Sequence, residues 1–267
     1  MCNHHFRGIF LIMEAVYIHI RERARQIVST FPAQPFYEDF PEAVEISRNM
    51  FETDPVIRKL REVVDKSMEN NNLGHGLDHA IKVTLDAGTL MVIEGELAGY
   101  MEENRKRYVL LAQCAGLLHD IKRSQKGHAE KGADYAREML GSWQSFNPDE
   151  VVCIAGAIHN HEAFKEQQPC KSPLGTLISD CLYDADKFRW GPDNFAHTIW
   201  DMIEFADIPL SKFVSLFPKG IASLEKIKTS FRTTTGMKYG PQFIDTGLAI
   251  GEKLYRVIQK EFAEFLV

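Results

Sequence analysis

Apolar positions recur with helical spacing along almost the whole chain. Residues 13–29 alternate apolar side chains with Arg and Glu at that period and predict a first helix. Residues 31–35, Phe-Pro-Ala-Gln-Pro, read as a turn. Pro55 suits the first turn of a helix reaching about Met68, with Thr53 or Asp54 as its cap. Asn70-Asn71-Asn72-Leu73-Gly74 predicts a loop. From Leu77 or Asp78 a long helix carries the stripe Ile81, Val83, Leu85, Ala87, Leu90, Met91. The next stretch, 102–120, is polar at first and strongly apolar over 109–118. Its length and its Ala, Leu and Gln content favour a buried helix over a buried strand. A shorter helix follows over 128–140, ending at Gly141. Another spans 151–161, opened by Asn147-Pro148-Asp149-Glu150. Residues 165–173 form a polar loop, 174–188 are helical, and Asp193 or Asn194 caps a helix through Phe205. Helices around 223–231 and 241–266 close the chain. No sustained alternation with hairpin turns occurs, so the expected fold class is all-α.

Composition narrows the setting. The chain has 267 residues, with 31 Lys+Arg against 37 Asp+Glu and a net charge of −6. That balance argues against a general nucleic-acid binder, whose surface is basic. The run Arg105-Lys106-Arg107 follows Glu102-Glu103 and reads as a solvated helix face. The aromatics Trp190, Phe195 and Trp200 read as core rather than as a base-stacking platform. Five cysteines, odd in number and without a C-x-x-C pair, exclude a zinc ribbon or disulfide framework and point to reduced thiols in the cytoplasm. Cys114 and Cys181 lie in apolar stretches and read as small core residues. No apolar run approaches the ~18 residues of a membrane span. Residues 8–13 are mostly apolar, but Glu14 follows at once and no small-residue cleavage site appears. Residues 1–12 therefore read as a poorly structured leader, with Met13 a candidate start. The expected organisation is N-terminal helices over 13–72, a core domain over 73–206, and C-terminal helices over 207–267 packed on that core.

Four polar clusters interrupt the apolar helices. They are His75-Gly76-Leu77-Asp78-His79, His119-Asp120, His159-Asn160-His161-Glu162 and Asp184-Ala185-Asp186-Lys187. A His-Asp pair at the end of Ala115-Gly116-Leu117-Leu118 is costly to bury unless something satisfies it. A divalent metal does so, because imidazole and carboxylate are both suitable ligands. Each cluster alone also fits a satisfied structural histidine or a solvent-facing carboxylate; their joint occurrence in this order favours a metal.

The pattern resembles the HD superfamily of metal-dependent phosphohydrolases. Its elements are His79 followed by Val83, His119-Asp120 within Leu117-Leu118-His119-Asp120-Ile121, and Asp186 within Tyr183-Asp184-Ala185-Asp186-Lys187-Phe188. The resemblance spans about residues 73–205, and implies a single helical HD-domain bundle with added helices at both ends. It implies that His79, His119, Asp120 and Asp186 ligate one or two divalent ions per chain, of a kind (Mn, Mg, Fe, Co, Ni or Zn) left open. Asp184 lies roughly 200° round the helix from Asp186, so the two do not face one ion; Asp184 is expected to orient a ligand or Lys187. His75, His128, His159 and His161 are candidates for a second metal or for the groups around the first, and His161 equally for a phosphate contact. His197 reads as structural.

The activity this implies is hydrolysis of a phosphate ester of a small molecule or nucleotide by a metal-activated water. Lys122, one turn past the ligand pair, is the expected catalytic phosphate contact, with Arg123, Lys187 and Arg189 as further substrate-binding cations. Asp120 doubles as a general base. Two rivals stand beside this reading: a di-iron HD-fold oxygenase, and a non-catalytic HD-type signalling module. A small phosphorylated substrate is the expected partner, a membrane is not, nucleic acid is not suggested, and homo-oligomerisation is left open.

Overall fold

The computed structural model describes residues 3–68, 76–206 and 208–266; side chains are described from Val16 onward, those of 201, 204 and 205 aside. The loop expected over 70–74 lies outside these residues, as does His75. Among the described residues there are helices and no strand, in agreement with the all-α expectation.

Three helices are apolar nearly all round over part of their length, and such helices must be enclosed by others. They are α5 (Leu77–Leu97), α6 (Glu102–Leu118) and α9 (Pro173–Phe188). α5 is buried without interruption over 86–95, α6 over 109–118, and α9 over 181–188. They pack on one another, and α8 (Pro148–His159) packs on α6 and α9. α7 (His128–Gly141) covers α8. Gly116 lets α6 approach α5 closely: a Cβ there would stand 2.7 Å from the Thr84 Cα.

Caps set where these helices begin. Asp54 Oδ1 accepts from the Val56 and Ile57 N–H groups at the start of α4 (Pro55–Met68), at 2.8 and 3.2 Å, so Asp54 is the cap. Asn147 and Glu150 form a reciprocal capping box at the start of α8. Arg107 then grips both Glu150 oxygens, at 2.6 and 2.5 Å. That arginine, expected in a solvated face, ties α6 to α8.

The outer elements depart more from expectation. α1 (Asn3–Val28) starts within the stretch read as a leader. α2 (Pro35–Asp39) and α3 (Pro41–Thr53) each open on proline, which fits a first helical turn. α11 (Leu210–Ile227) starts well before 223 and continues through Pro218, and α12 (Thr234–Glu261) starts before 241 and continues through Pro241. Each proline forfeits one backbone hydrogen bond, yet packing outweighs the loss. Leu210, Phe213, Phe217, Leu224 and Ile227 keep helical spacing across Pro218 and are all buried. Thr233 caps α12 by accepting from Gly236 N–H at 2.8 Å. Residues 194–205 form two pieces, a π-helical turn (Asn194–Thr198) running into α10 (Ile199–Phe205).

The buried apolar residues form one connected core from Val16 to Phe262, with Cys114 and Cys181 inside it. No helix among the described residues is long and apolar enough to cross a membrane. The central packing brings the first turn of α5, the C-terminal end of α6, the start of α7, the residues just past α8 and the last turn of α9 to one end of the bundle.

Candidate metal centre

Two groups of three potential ligands meet at that end. In the first, His79 from α5, His119 just past α6 and Asp186 from α9 converge. Asp186 Oδ1 lies 3.3 Å from His79 Nε2 and 3.8 Å from His119 Nε2, and the two ring nitrogens are 3.2 Å apart. In the second, Asp120 Oδ1 lies 3.4 Å from both His128 Nε2 and His161 Nε2. Asp120 Oδ2 turns the other way, to 3.5 Å from His119 Nε2. The carboxylate of Asp120 thus faces both groups, one oxygen to each. Ligand atoms held ~2.1 Å from one ion sit roughly 3.0–3.4 Å apart, which these separations match apart from the wider 3.8 Å between His119 and Asp186.

The histidine tautomers point the same way. His119 Nδ1 lies 2.7 Å from the Gly116 carbonyl and His161 Nδ1 lies 2.6 Å from the Ile158 carbonyl. A carbonyl only accepts, so each Nδ1 carries the proton and each Nε2 presents a lone pair inward. This is the orientation that metal-binding imidazoles need. Burial drives the His119 pKa down to about 3, so the ring stays neutral at ordinary pH. Burial also lowers His128, against the pull of Asp120. His161 Nε2 is buried without a hydrogen-bond partner, a costly arrangement that a cation would relieve.

Lys187 and Arg123 complete the electrostatics. Lys187, expected to bind substrate, is almost fully buried. It donates to Asp186 Oδ2 at 2.5 Å and to the His161 carbonyl at 2.9 Å. It thereby holds one oxygen of Asp186 and leaves the other for the histidines. Burial alone would raise the Asp186 carboxyl; Lys187, then His79 and His119, outweigh it and keep that group well below the usual carboxylate range. Arg123 donates from Nη1 to His128 Nε2 at 3.0 Å and lies 3.6 Å from Asp120 Oδ1. It lines a cavity of about 240 Å³ together with Asp120, His161, Asp186 and Trp190.

Several expected site residues sit elsewhere. The Lys122 ammonium rests over the Tyr135 ring, 4.2 Å from its centroid, so of these two neighbours Arg123 is the one beside the ligands. Arg189 is buried in an ionic network: it donates to Asp193 at 2.6 Å, to Tyr37 at 2.8 Å and to Asp86. Asp184 does not turn toward Lys187 or a ligand. Its oxygens accept from Arg232 N–H, Thr233 N–H and the Thr233 hydroxyl at 2.9, 2.8 and 2.7 Å, fixing the start of α12. His159 is in neither group; its Nδ1 lies 3.3 Å from Asn160 Oδ1. Phe195 and Trp200 are buried, as expected of core aromatics. Trp190, also expected in the core, instead lines the cavity and is 36% exposed.

Comparison with curated proteins and with solved structures gives no match. Residues 76–189 match the HD domain family, an interval that opens just before His79 and closes just after Asp186. Over residues 76–189 the chain therefore carries an HD domain.

Proposed function

We propose that this chain is a metal-dependent phosphohydrolase acting on a phosphate ester of a small molecule. The observation that carries the reading is the pair of ligand groups joined through Asp120, with Arg123 at their edge in an accessible cavity. His79, His119 and Asp186 would hold one divalent ion, and Asp120, His128 and His161 a second. Bound ions of this kind lower the pKa of water and polarise a phosphoryl oxygen.

The chain's own residues supply positioning and charge. Phosphoryl transfer spreads negative charge over three equatorial oxygens. Arg123 presents a guanidinium fork to the cavity where that charge would develop, a geometry suited to two oxygens at once. Lys187 stays with Asp186 and keeps its carboxylate ionised and aimed. Asp120, with one oxygen toward each ligand group, is placed to accept a proton from an attacking water. The test is hydrolysis of a panel of nucleotides, sugar phosphates and simple alkyl phosphates with Mn, Mg, Co and Ni added separately. Activity on at least one ester that is lost in His119→Ala supports the reading, and inactivity with every metal sinks it.

The second ligand group keeps one rival in view, since a di-iron oxygenase also needs extra histidines. Iron retained on purification, with oxygen consumed on adding substrate and no phosphate released, would favour that chemistry.

A further inference from the structure

A second cavity, of about 340 Å³, adjoins the first. Arg123 and Trp190 line both, and His79 faces the second from the metal-centre end. Away from that end its wall is built by the π turn, α10 and α11 and is almost wholly apolar. Phe195, Ile199, Phe213, Phe217, Ile221 and Leu224 contribute to it. Among the described lining side chains, Asn194 and Thr198 are the polar ones outside the His79–Arg123–Arg189 end. Arg189 is already committed to Asp86, Tyr37 and Asp193. The cavity reaches solvent beside Met202 and Leu216, which are 47% and 43% exposed.

A well-packed core has no reason to leave this space. Interiors are close-packed, and an apolar void forfeits contacts on every wall. A cavity of ~150 Å³ already admits benzene, so this one has room for an apolar group about twice that size. The wall offers too few donors and acceptors for a ribose and a base edge. The π turn, a geometry often found at functional sites, supplies Asn194, Phe195 and Thr198 to the lining.

We infer that the ligand of this centre is amphiphilic: an anionic head at Arg123 and an apolar group in the cavity between the π turn, α10 and α11. The head group rests on the phosphohydrolase reading; the apolar group rests on the cavity alone. The substrate class is then a phosphate monoester of an apolar alcohol rather than a nucleotide or a sugar phosphate.

Gly220 provides the test. It lines the cavity from an exposed position on α11, and a Cβ there would meet nothing within 4 Å. Replacing a helical glycine also favours the helix, so Gly220→Phe sets a ring at the mouth of the cavity without opposing the fold. Gly220→Ala controls for the backbone. Metal-loaded protein is titrated by calorimetry with methyl-, butyl- and octylphosphonate, which carry the head but are not hydrolysed. Each buried methylene gains about fourfold in affinity, so octylphosphonate is expected to bind at least about 100-fold tighter than methylphosphonate. In Gly220→Phe that ratio should fall to a few-fold, while Gly220→Ala retains it. Equal affinity across the series in the wild type overturns the inference, and so does a steep series that Gly220→Phe leaves intact, which would put the tail elsewhere. Hydrolysis of octyl phosphate is measured in parallel. A steep, Gly220-sensitive binding series without hydrolysis of any alkyl phosphate upholds the amphiphilic ligand and overturns the phosphohydrolase reading instead.

Discussion

Two buried polar clusters flank the C-terminal end of α9, and they are satisfied in different ways. Around Arg189 the charges close on themselves. Arg189 donates to Asp86, Asp193 and Tyr37, Lys82 donates to Asp193 at 2.9 Å, and Tyr37 donates to Asp86 at 3.1 Å. Burial disfavours the Arg189 charge, but Asp86, Tyr37 and Asp193 outweigh it and hold the guanidinium firmly protonated. Around Asp120 and Asp186 the acceptors instead face one another. The lone pairs of His119 and His161 converge with two carboxylates, and Lys187 covers one oxygen of Asp186. A closed network of cations and anions needs nothing more, whereas converging acceptors call for a cation from outside. Burial and charge are alike in the two clusters; the direction of the donors separates a structural network from a ligand site.

The sharpest break between them should come from Asp120→Ala. It removes an oxygen from each ligand group, so bound metal and hydrolysis are expected to fall together, by roughly 10³-fold or more in rate. Metal analysis and phosphate release on one preparation check this. Arg189→Met should do the reverse. It leaves the buried Asp86 with Tyr37 alone against its charge, with a stability loss of about 3–5 kcal/mol in urea unfolding, while folded protein keeps its metal. If Arg189→Met instead lost metal without losing stability, the two clusters would have been assigned the wrong way round. Lys187→Met frees Asp186 Oδ2 and should weaken metal binding about 10–100-fold, measured by titration of chelator-stripped protein.

Two smaller effects sharpen the contrast. His119 has a folded pKa of about 3 against an ordinary 6.5, so the unfolded chain binds the extra proton between those values. Metal-free protein should therefore lose stability as pH falls from about 6.5 toward 3, and His119→Gln should flatten that slope in thermal melts. Lys122→Ala should change kcat/KM less than about twofold, because the side chain lies on Tyr135; a loss like that of Arg123→Ala would return Lys122 to the site.

Much of this arrangement was legible in the chain. The four polar clusters stand out because polar groups on apolar helices need a reason to be there, and the resemblance to the HD superfamily then singles out His79, His119-Asp120 and Asp186. α5, α6, α8 and α9 follow from period and caps. The side chains around the ligands were harder, since adjacent residues on a helix or turn point in different directions. Lys122 and Arg123 are equivalent as text, yet one lies on a tyrosine and the other beside His128. Asp184 and Lys187 depend on what α12 and His161 bring to them, contacts across 49 and 26 residues of sequence. A proline inside a helix opposes it by local rule, and long-range packing carries α11 through Pro218 and α12 through Pro241.

The central claim is that the converging acceptors hold divalent metal. Calorimetric titration of chelator-stripped protein with Mn(II) tests it directly, on the wild type and on His79→Ala and His161→Ala. Two binding events in the wild type are expected, with the event at the first ligand group lost in His79→Ala and that at the second lost in His161→Ala. Absence of binding in the wild type, or binding that neither substitution alters, would contradict it.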